Sequence, residues 1–366
     1  MLFNGIFNNS AFGMESLTSS ILKIPFVPGQ AGALGIFGGE GVSTTSVDIE
    51  QDGVNITIIP SGQRGGPPTQ YRRKLRTLAN LKVPHFVLSD IIKPEQIQDV
   101  RASGVAELQT AIDVVDKAMM GMTWSHDATL EYGRIGAVKG VIYDWDGSTV
   151  LTNLFTALGA TQETFDFDLG DSAENIMHVC LQVKRYIEQT LGQARRFSHI
   201  HCFCGNDFFD ALVAHPEIQA AYKLWQNSSD RPTWGPNSKG QLGDFARSDM
   251  RTGFAYGDIF FENYIGYVPG ANGTNIPFVP AGEAHFFPAG VPELFKTVFA
   301  PGNFMGMTNT PGLPRYAIGE PLRMGRGLEL ETESNPLSYC SRPETLVMGV
   351  SSTWPTGIVP GSAIFS

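Results

Sequence analysis

The chain is poor in charge. Asp, Glu, Lys and Arg supply 17% of its 366 residues, against roughly 25% in an ordinary soluble domain. Its four cysteines, Cys180, Cys202, Cys204 and Cys340, are too few and too scattered for a disulfide framework, so synthesis in a reducing cytosol is expected. No run approaches the roughly 18 apolar residues of a membrane span. The opening MLFNGIFNNSAFGMESLTSS has neither the basic start nor the unbroken apolar core of a signal peptide. Neither a G-x-S-x-G nucleophile elbow nor an H-E-x-x-H metal motif occurs. Positive charge is the scarcer sign: 26 Lys and Arg against 36 Asp and Glu leave a net charge of −10. That balance argues against a basic nucleic-acid binder.

Apolar and turn-forming residues are abundant. The chain is 42% hydrophobic, with 24 Phe, 41 Gly and 23 Pro, enough for a core and incompatible with intrinsic disorder. Few charges beside many aromatics suggest that much surface meets protein.

Local pattern predicts an α+β chain. Ser16–Ile24 reads as a short helix stopped by Pro25, inside an arm that runs to Gly41. The glycines of GALGIFGGEG (Gly32–Gly41) fit neither phosphate-loop pattern and read as flexible arm. Residues 42–60 read as a hairpin, VSTTSVDIE and VNITIIP joined through Gln51-Asp52-Gly53. A long helix is predicted at about Glu107–Ala137. There Leu108, Ile112, Val115, Met119, Met122, His126, Thr129, Gly133 and Gly136 recur at 4,3,4,3 spacing. A hairpin turns at Asp144–Gly147. A helix is expected to start at the Asp171–Glu174 box and end at Gly192, followed by a buried strand near Phe197–Cys204. Two short helices and a polar loop at 227–245 come next, then mostly strands. The tail from residue 354 reads as loose.

Each candidate chemistry has a plainer reading. His199, His201, Cys202 and Cys204 are good metal ligands, but a strand would send the two types to opposite faces. Asp144-x-Asp146-Gly147 lacks the later calcium ligands and reads as a turn. Asp166/Asp168 and Glu329/Glu331/Glu333 are carboxylates on one strand face, suited to acid–base catalysis or to receiving basic side chains. A mixed α/β hydrolase-type enzyme using them, or an acidic ring-forming adaptor, is therefore an alternative reading.

One segment resists a plain account. Val54 to Ser89 contains no Asp or Glu, yet carries Arg64, Arg72, Arg73, Lys74, Arg76 and Lys82. The rest of the chain then carries −16. Between Ser61 and Lys74 only Tyr71 is large and apolar, so the segment cannot form its own core. A solvated loop and a phosphate-stacking contact remain possible readings. Docking on an acidic partner, with another copy of the chain as the obvious one, is favoured.

Four stretches in order resemble a known family: TTSVDIEQDGVNITIIPSGQRGGPP (Thr44–Pro68), HDATLEYGRIGAVKGVIYDWDGSTVLTNLF (His126–Phe155), TFDFDLGD (Thr164–Asp171) and LETESNPLSYCSRPETLVMGVSST (Leu330–Thr353). The family is the major capsid protein of lambda-type tailed phages, the phage capsid E family, with the Hong Kong 97-like capsid fold. The resemblance implies an N-terminal arm at 1–41, an extended loop at 42–92, and a peripheral domain at 93–170 crossed by the spine helix. It further implies an axial domain at 171–320, a return to the peripheral domain at 321–353, and a tail at 354–366. It implies a structural protein that self-assembles through hexamers and pentamers into an icosahedral head shell, with no catalysis, cofactor or metal. A separate scaffold, a portal and a decoration protein are implied partners, with packaged DNA held without sequence-specific binding and no membrane. The expected place is the virion, assembled in the host bacterial cytoplasm. The inter-subunit contacts expected are Arg64, Arg72, Arg73, Lys74 and Arg76 on one copy, with Glu329, Glu331 and Glu333 on the next. A covalent Lys74–Asn335 link is conceivable but not expected, since lambda-type shells resemble non-covalent ones.

Overall fold

The computed structural model describes residues 14–24, 29–51, 77–98, 107–144, 146–192, 197–227, 252–269 and 275–358. The expected strand at Val54–Pro60, the basic cluster Arg64–Arg76 and nearly all of the expected 227–245 loop lie outside them. The chain divides into two units. The first holds Met1–Val47, Leu81–Arg134 and Lys296–Ser338; the second holds Asp48–Asn80, Ile135–Phe295 and Tyr339–Ser366.

The first unit is organised by one long helix and a three-stranded antiparallel sheet. The 4,3,4,3 stripe forms the helix Glu107–Lys139, two residues longer than expected. The sheet runs in the order Tyr316–Pro321, Leu328–Ser334, Phe86–Ile92. Strand alternation sends Leu328, Leu330, Ala317 and Ile92 to one face, where Val115, Met119 and Met122 of the long helix meet them. Leu17 and Ile21 of the helix Met14–Lys23 complete this core.

The arm is less flexible than its glycines suggest. Gln30–Ala33 is a helical turn whose Ala31 and Gly32 amides donate to the buried Glu131 carboxylate at 2.6 and 3.0 Å. An internal carboxylate thus occupies the place a phosphate would take in a glycine loop. Phe37–Gly41 then joins a sheet with Phe295–Phe299 and Pro336–Cys340. The backbone of Gly312 lies where a side chain on Gly41 would go, so glycine is required for that close approach.

The second unit has a six-stranded mixed sheet. Its order is Glu163–Asp166, Val347–Val350, Ala284–Ala289, His199–Cys204, Ile259–Asn263, Thr252–Tyr256. One face packs on the helices Ile176–Leu191 and Asn206–Ala214 through Phe167, Phe208, Phe254, Phe261 and Phe286. Phe167 stacks on Phe286 at 5.5 Å and meets Phe208 edge-on at 5.4 Å. Phe203 and Phe287 are buried on the opposite face. The phenylalanine surplus therefore fills this core. Among the described residues, the exposed large apolar side chains include no Phe.

Two local expectations shift. The helix expected at Asp171 begins instead at Ile176, capped by Asn175, whose side chain accepts from the His178 amide at 2.8 Å. Asp171 is spent on a turn through Ala173 N, and Glu217 of the helix Pro216–Asn227 accepts from the Ile176 and Met177 amides. The residues expected as a loose tail begin packed, with Trp354 and Ile358 partly buried against the second core. The described partner of Ser46–Gln51 is Thr77–Lys82, held in part by Asn80 Nδ2 donating to Asp48 at 2.7 Å.

Candidate assembly surfaces

The sheet of the first unit has one face in the core and one turned outward. Antiparallel register puts Glu320 opposite Glu329 and Ile318 opposite Glu331. On the other flank Ile91 pairs with Glu329, Ser89 with Glu331 and Val87 with Glu333. With period-two alternation all of these share the outer face. Glu320, Glu329, Ile91, Ser89 and Val87 are exposed, and Glu331 and Ile318 are half-buried. The result is an acidic row beside an aliphatic one.

Glu333 shares that face but not its exposure. It is buried, and its carboxylate accepts the Asn303 amide at 2.9 and 3.1 Å, Asn335 Nδ2 at 2.5 Å and approaches His85 Nδ1 at 3.2 Å. Asn335 is equally committed: Nδ2 also donates to the Pro301 carbonyl at 3.0 Å, and Oδ1 meets His85 Nδ1 at 2.8 Å. Both groups have their partners inside the subunit. Arg64, Arg72, Arg73, Lys74 and Arg76 lie outside the described residues.

Sequence reasoning missed Glu320, whose place opposite Glu329 needs the register, and the turn Arg323-Met324-Gly325-Arg326 that joins the two strands. The available signal was a Gly-bearing L-R-M-G-R-G between alternating runs. It also missed the polar core beneath. Arg315 Nη2 donates to Asp127 at 2.5 Å, both buried, and Nη1 reaches the Ile21 and Ile24 carbonyls that end the first helix. Beside them His126 Nε2 meets Thr332 Oγ1 at 3.0 Å. Burial, and then the Arg315 charge, push its pKa down to about 4.

The other candidate chemistries resolve into structure. His199–Cys204 is a strand, as expected, with Cys202 and Cys204 in the core and His201 on the opposite face, 3.0 Å from Glu262. Burial raises the Cys202 thiol well above its ordinary value. Among the described residues no group of three or more His, Cys, Asp or Glu is arranged to hold a metal. Asp166 accepts the Asp168 and Ser352 amides at 3.0 and 2.9 Å, and Asp168 accepts from the Thr353 hydroxyl. These carboxylates tie the strand Glu163–Asp166 to the segment after Val350. The Asp146 carboxyl is held below its usual range by hydrogen bonds from Thr149 and Ser148, which close the expected turn.

A sheet-and-spine-helix unit, a separate helix-flanked sheet unit and an arm threaded through the first unit define the class: a phage capsid subunit of Hong Kong 97-like fold. A protein assigned to the capsid of an E. coli CFT073 prophage shares it, with a TM-score of 0.53 over 96% of this chain and 99% of that one, at 12% identity. The profile of the family described as phage major capsid protein E matches residues 13–351, and the chain belongs to that family. The major capsid protein of Pseudomonas phage KPP10 is 28% identical over 358 residues, covering 92% of this chain and 96% of its own. That of Salmonella phage Felix O1 is 26% identical over 359 residues, with the same coverage. The protein is thus a structural component of a virion that assembles with itself into a shell, and not the α/β enzyme or adaptor of the alternative reading.

Proposed function

We propose that shell formation depends on charge exchanged between neighbouring copies. The basic segment carrying Arg64, Arg72, Arg73, Lys74 and Arg76 lies over the next subunit, where Glu329 and Glu331 receive it. Glu333, grouped with them by sequence, supports the sheet from within, because its carboxylate already has three internal partners. One observation carries the reading: six cations without an acid in Val54–Ser89, against carboxylates exposed on a sheet face with no ion pair among the described residues. Opposite charge sets register and encounter rate in such a contact. In this reading residues 48–80 act as the extended loop, the first unit with its long helix as the peripheral domain, and the rest of the second unit as the axial domain. A scaffold, a portal and a decoration protein are its further partners. DNA fills the shell without sequence-specific contacts, and assembly takes place in the host cytoplasm.

Negative-stain microscopy and sedimentation of the Arg72→Glu/Arg73→Glu variant test this. Loss of closed particles with a folded subunit is the expected result, and normal shells would remove the charge argument.

A further inference from the structure

The helix Met14–Lys23 is pinned along its length. Thr18 Oγ1 donates to the Ala317 carbonyl at 3.1 Å and accepts from the Ala317 amide at 3.2 Å, and Arg315 Nη1 reaches the Ile21 and Ile24 carbonyls at the helix end. Its direction is therefore fixed. Its first residue, Met14, arrives beside the loop at 303–312, with the Met14 Cε 3.3 Å from where a Gly306 side chain would start.

That loop is held by hydrogen bonds. The Met307 amide donates to the Phe304 carbonyl at 2.9 Å, Thr308 Oγ1 to the Met305 carbonyl at 3.1 Å and Thr310 Oγ1 to the Met307 carbonyl at 2.7 Å. Phe304 meets the buried Tyr316 edge-on at 6.4 Å. Yet the turn Met305–Met307 holds Met305 96% exposed, the most open of the large apolar side chains among the described residues. The chain that enters the helix supplies a match. Residues 1–13, outside the described residues, contain no Asp, Glu, Lys or Arg and carry Met1, Leu2, Phe3, Ile6, Phe7 and Phe12. Phe12 is two residues from Met14, at most about 7 Å of chain.

We propose that residues 1–13 fold back on their own subunit and cover the turn Met305–Met307, with Phe12 and Phe7 against Met305 and the Met14 side chain at the inner edge of the seat. A flexible thioether adapts to aromatic rings, and sulfur–aromatic contacts are favourable. The segment starts where the seat is, so closing the loop costs little entropy, and its effective concentration there exceeds that of a second copy. With the turn covered, a free subunit meets other copies through its charged surfaces. An open Met305 would add an apolar contact with no set register. The inference concerns the single subunit and stands apart from the shell reading.

Peroxide oxidation of the unassembled, full-length subunit, read by mass spectrometry, tests it. Met324, 88% exposed in the same unit, is the open reference, and Met119, 1% exposed in the core, is the closed one. Oxidation follows exposure, so a covered Met305 should oxidise roughly five-fold or more slower than Met324. Leu2→Asp/Phe7→Asp/Phe12→Asp should raise it to the Met324 rate while Met119 stays unoxidised. Equal rates at Met305 and Met324 in the unaltered chain, or a slow Met305 that the three substitutions leave slow, would overturn the proposal. A second measurement does not depend on that variant's fold. In Phe12→Cys/Met305→Cys, mild oxidation should close a link within one chain, because the four native cysteines are buried. A faster-running monomer on a non-reducing gel is expected at every protein concentration. A dimer would assign the cover to a second copy, and the absence of any link would refute the contact.

Discussion

At the scale of single residues, the structure is most sensitive where ionisable groups are buried in the first unit. His126 remains neutral in the folded chain down to about pH 4, held there by burial and by the Arg315 charge. In the unfolded chain it protonates near 6.5. The unfolded state therefore binds the proton first, and stability falls as pH drops from about 6.5 to about 4, by about 3 kcal/mol in all. Thermal unfolding across that range should show the decline, and His126→Gln should flatten it. Asp127→Asn leaves Arg315 buried without its countercharge, and should cost about 3–5 kcal/mol in urea unfolding. Glu333 makes the same point about legibility. Alternation along Leu328–Ser334 correctly places it on the face of Glu329 and Glu331. Its burial depends on Asn303 and His85, which arrive from distant parts of the chain.

Among elements, the long helix was the most legible, because a 3.6-residue period sustained over nine turns has no competing explanation. Its outward side has room to spare. Nothing lies within 4 Å of where a Gly121 side chain would stand, so Gly121→Ala should stabilise the isolated subunit by about 1 kcal/mol. Denaturant midpoints at unchanged slope would show it. Helix starts were less legible. Asp171 satisfies the local rule for a cap, yet Asn175 and Glu217 serve the amides instead, since a carboxylate supplied by another helix is invisible to a four-residue pattern. Asn175→Ala should cost about 1 kcal/mol by the same measurement, the usual price of a lost cap.

For the whole molecule, function lies in contacts repeated by symmetry. If exposed charge pairs set those contacts, raising salt from about 0.1 M to 1 M shortens the screening length from about 10 Å to about 3 Å. Shell assembly should then slow and require more protein, as followed by light scattering, while the thermal midpoint of the isolated subunit moves little. A salt-insensitive assembly would assign the shell to apolar contacts instead.

The sequence by itself determined the composition-level polarity of the chain, its α+β character, the spine helix, the buried His199–Cys204 strand and the capsid family. All of these rest on periodicity, or on ordered motifs that survive without knowledge of distant neighbours. Only the tertiary structure decided which carboxylates are spent and which remain open. Glu320 becomes opposed to Glu329, and Glu333 becomes enclosed, through strand register and through loops separated from them in sequence. The same low charge count that suggested a protein-covered surface is therefore distributed unevenly. Some charges lock the interior, while others, Glu320 and Glu329 among them, stand exposed on the outer face of the first unit's sheet.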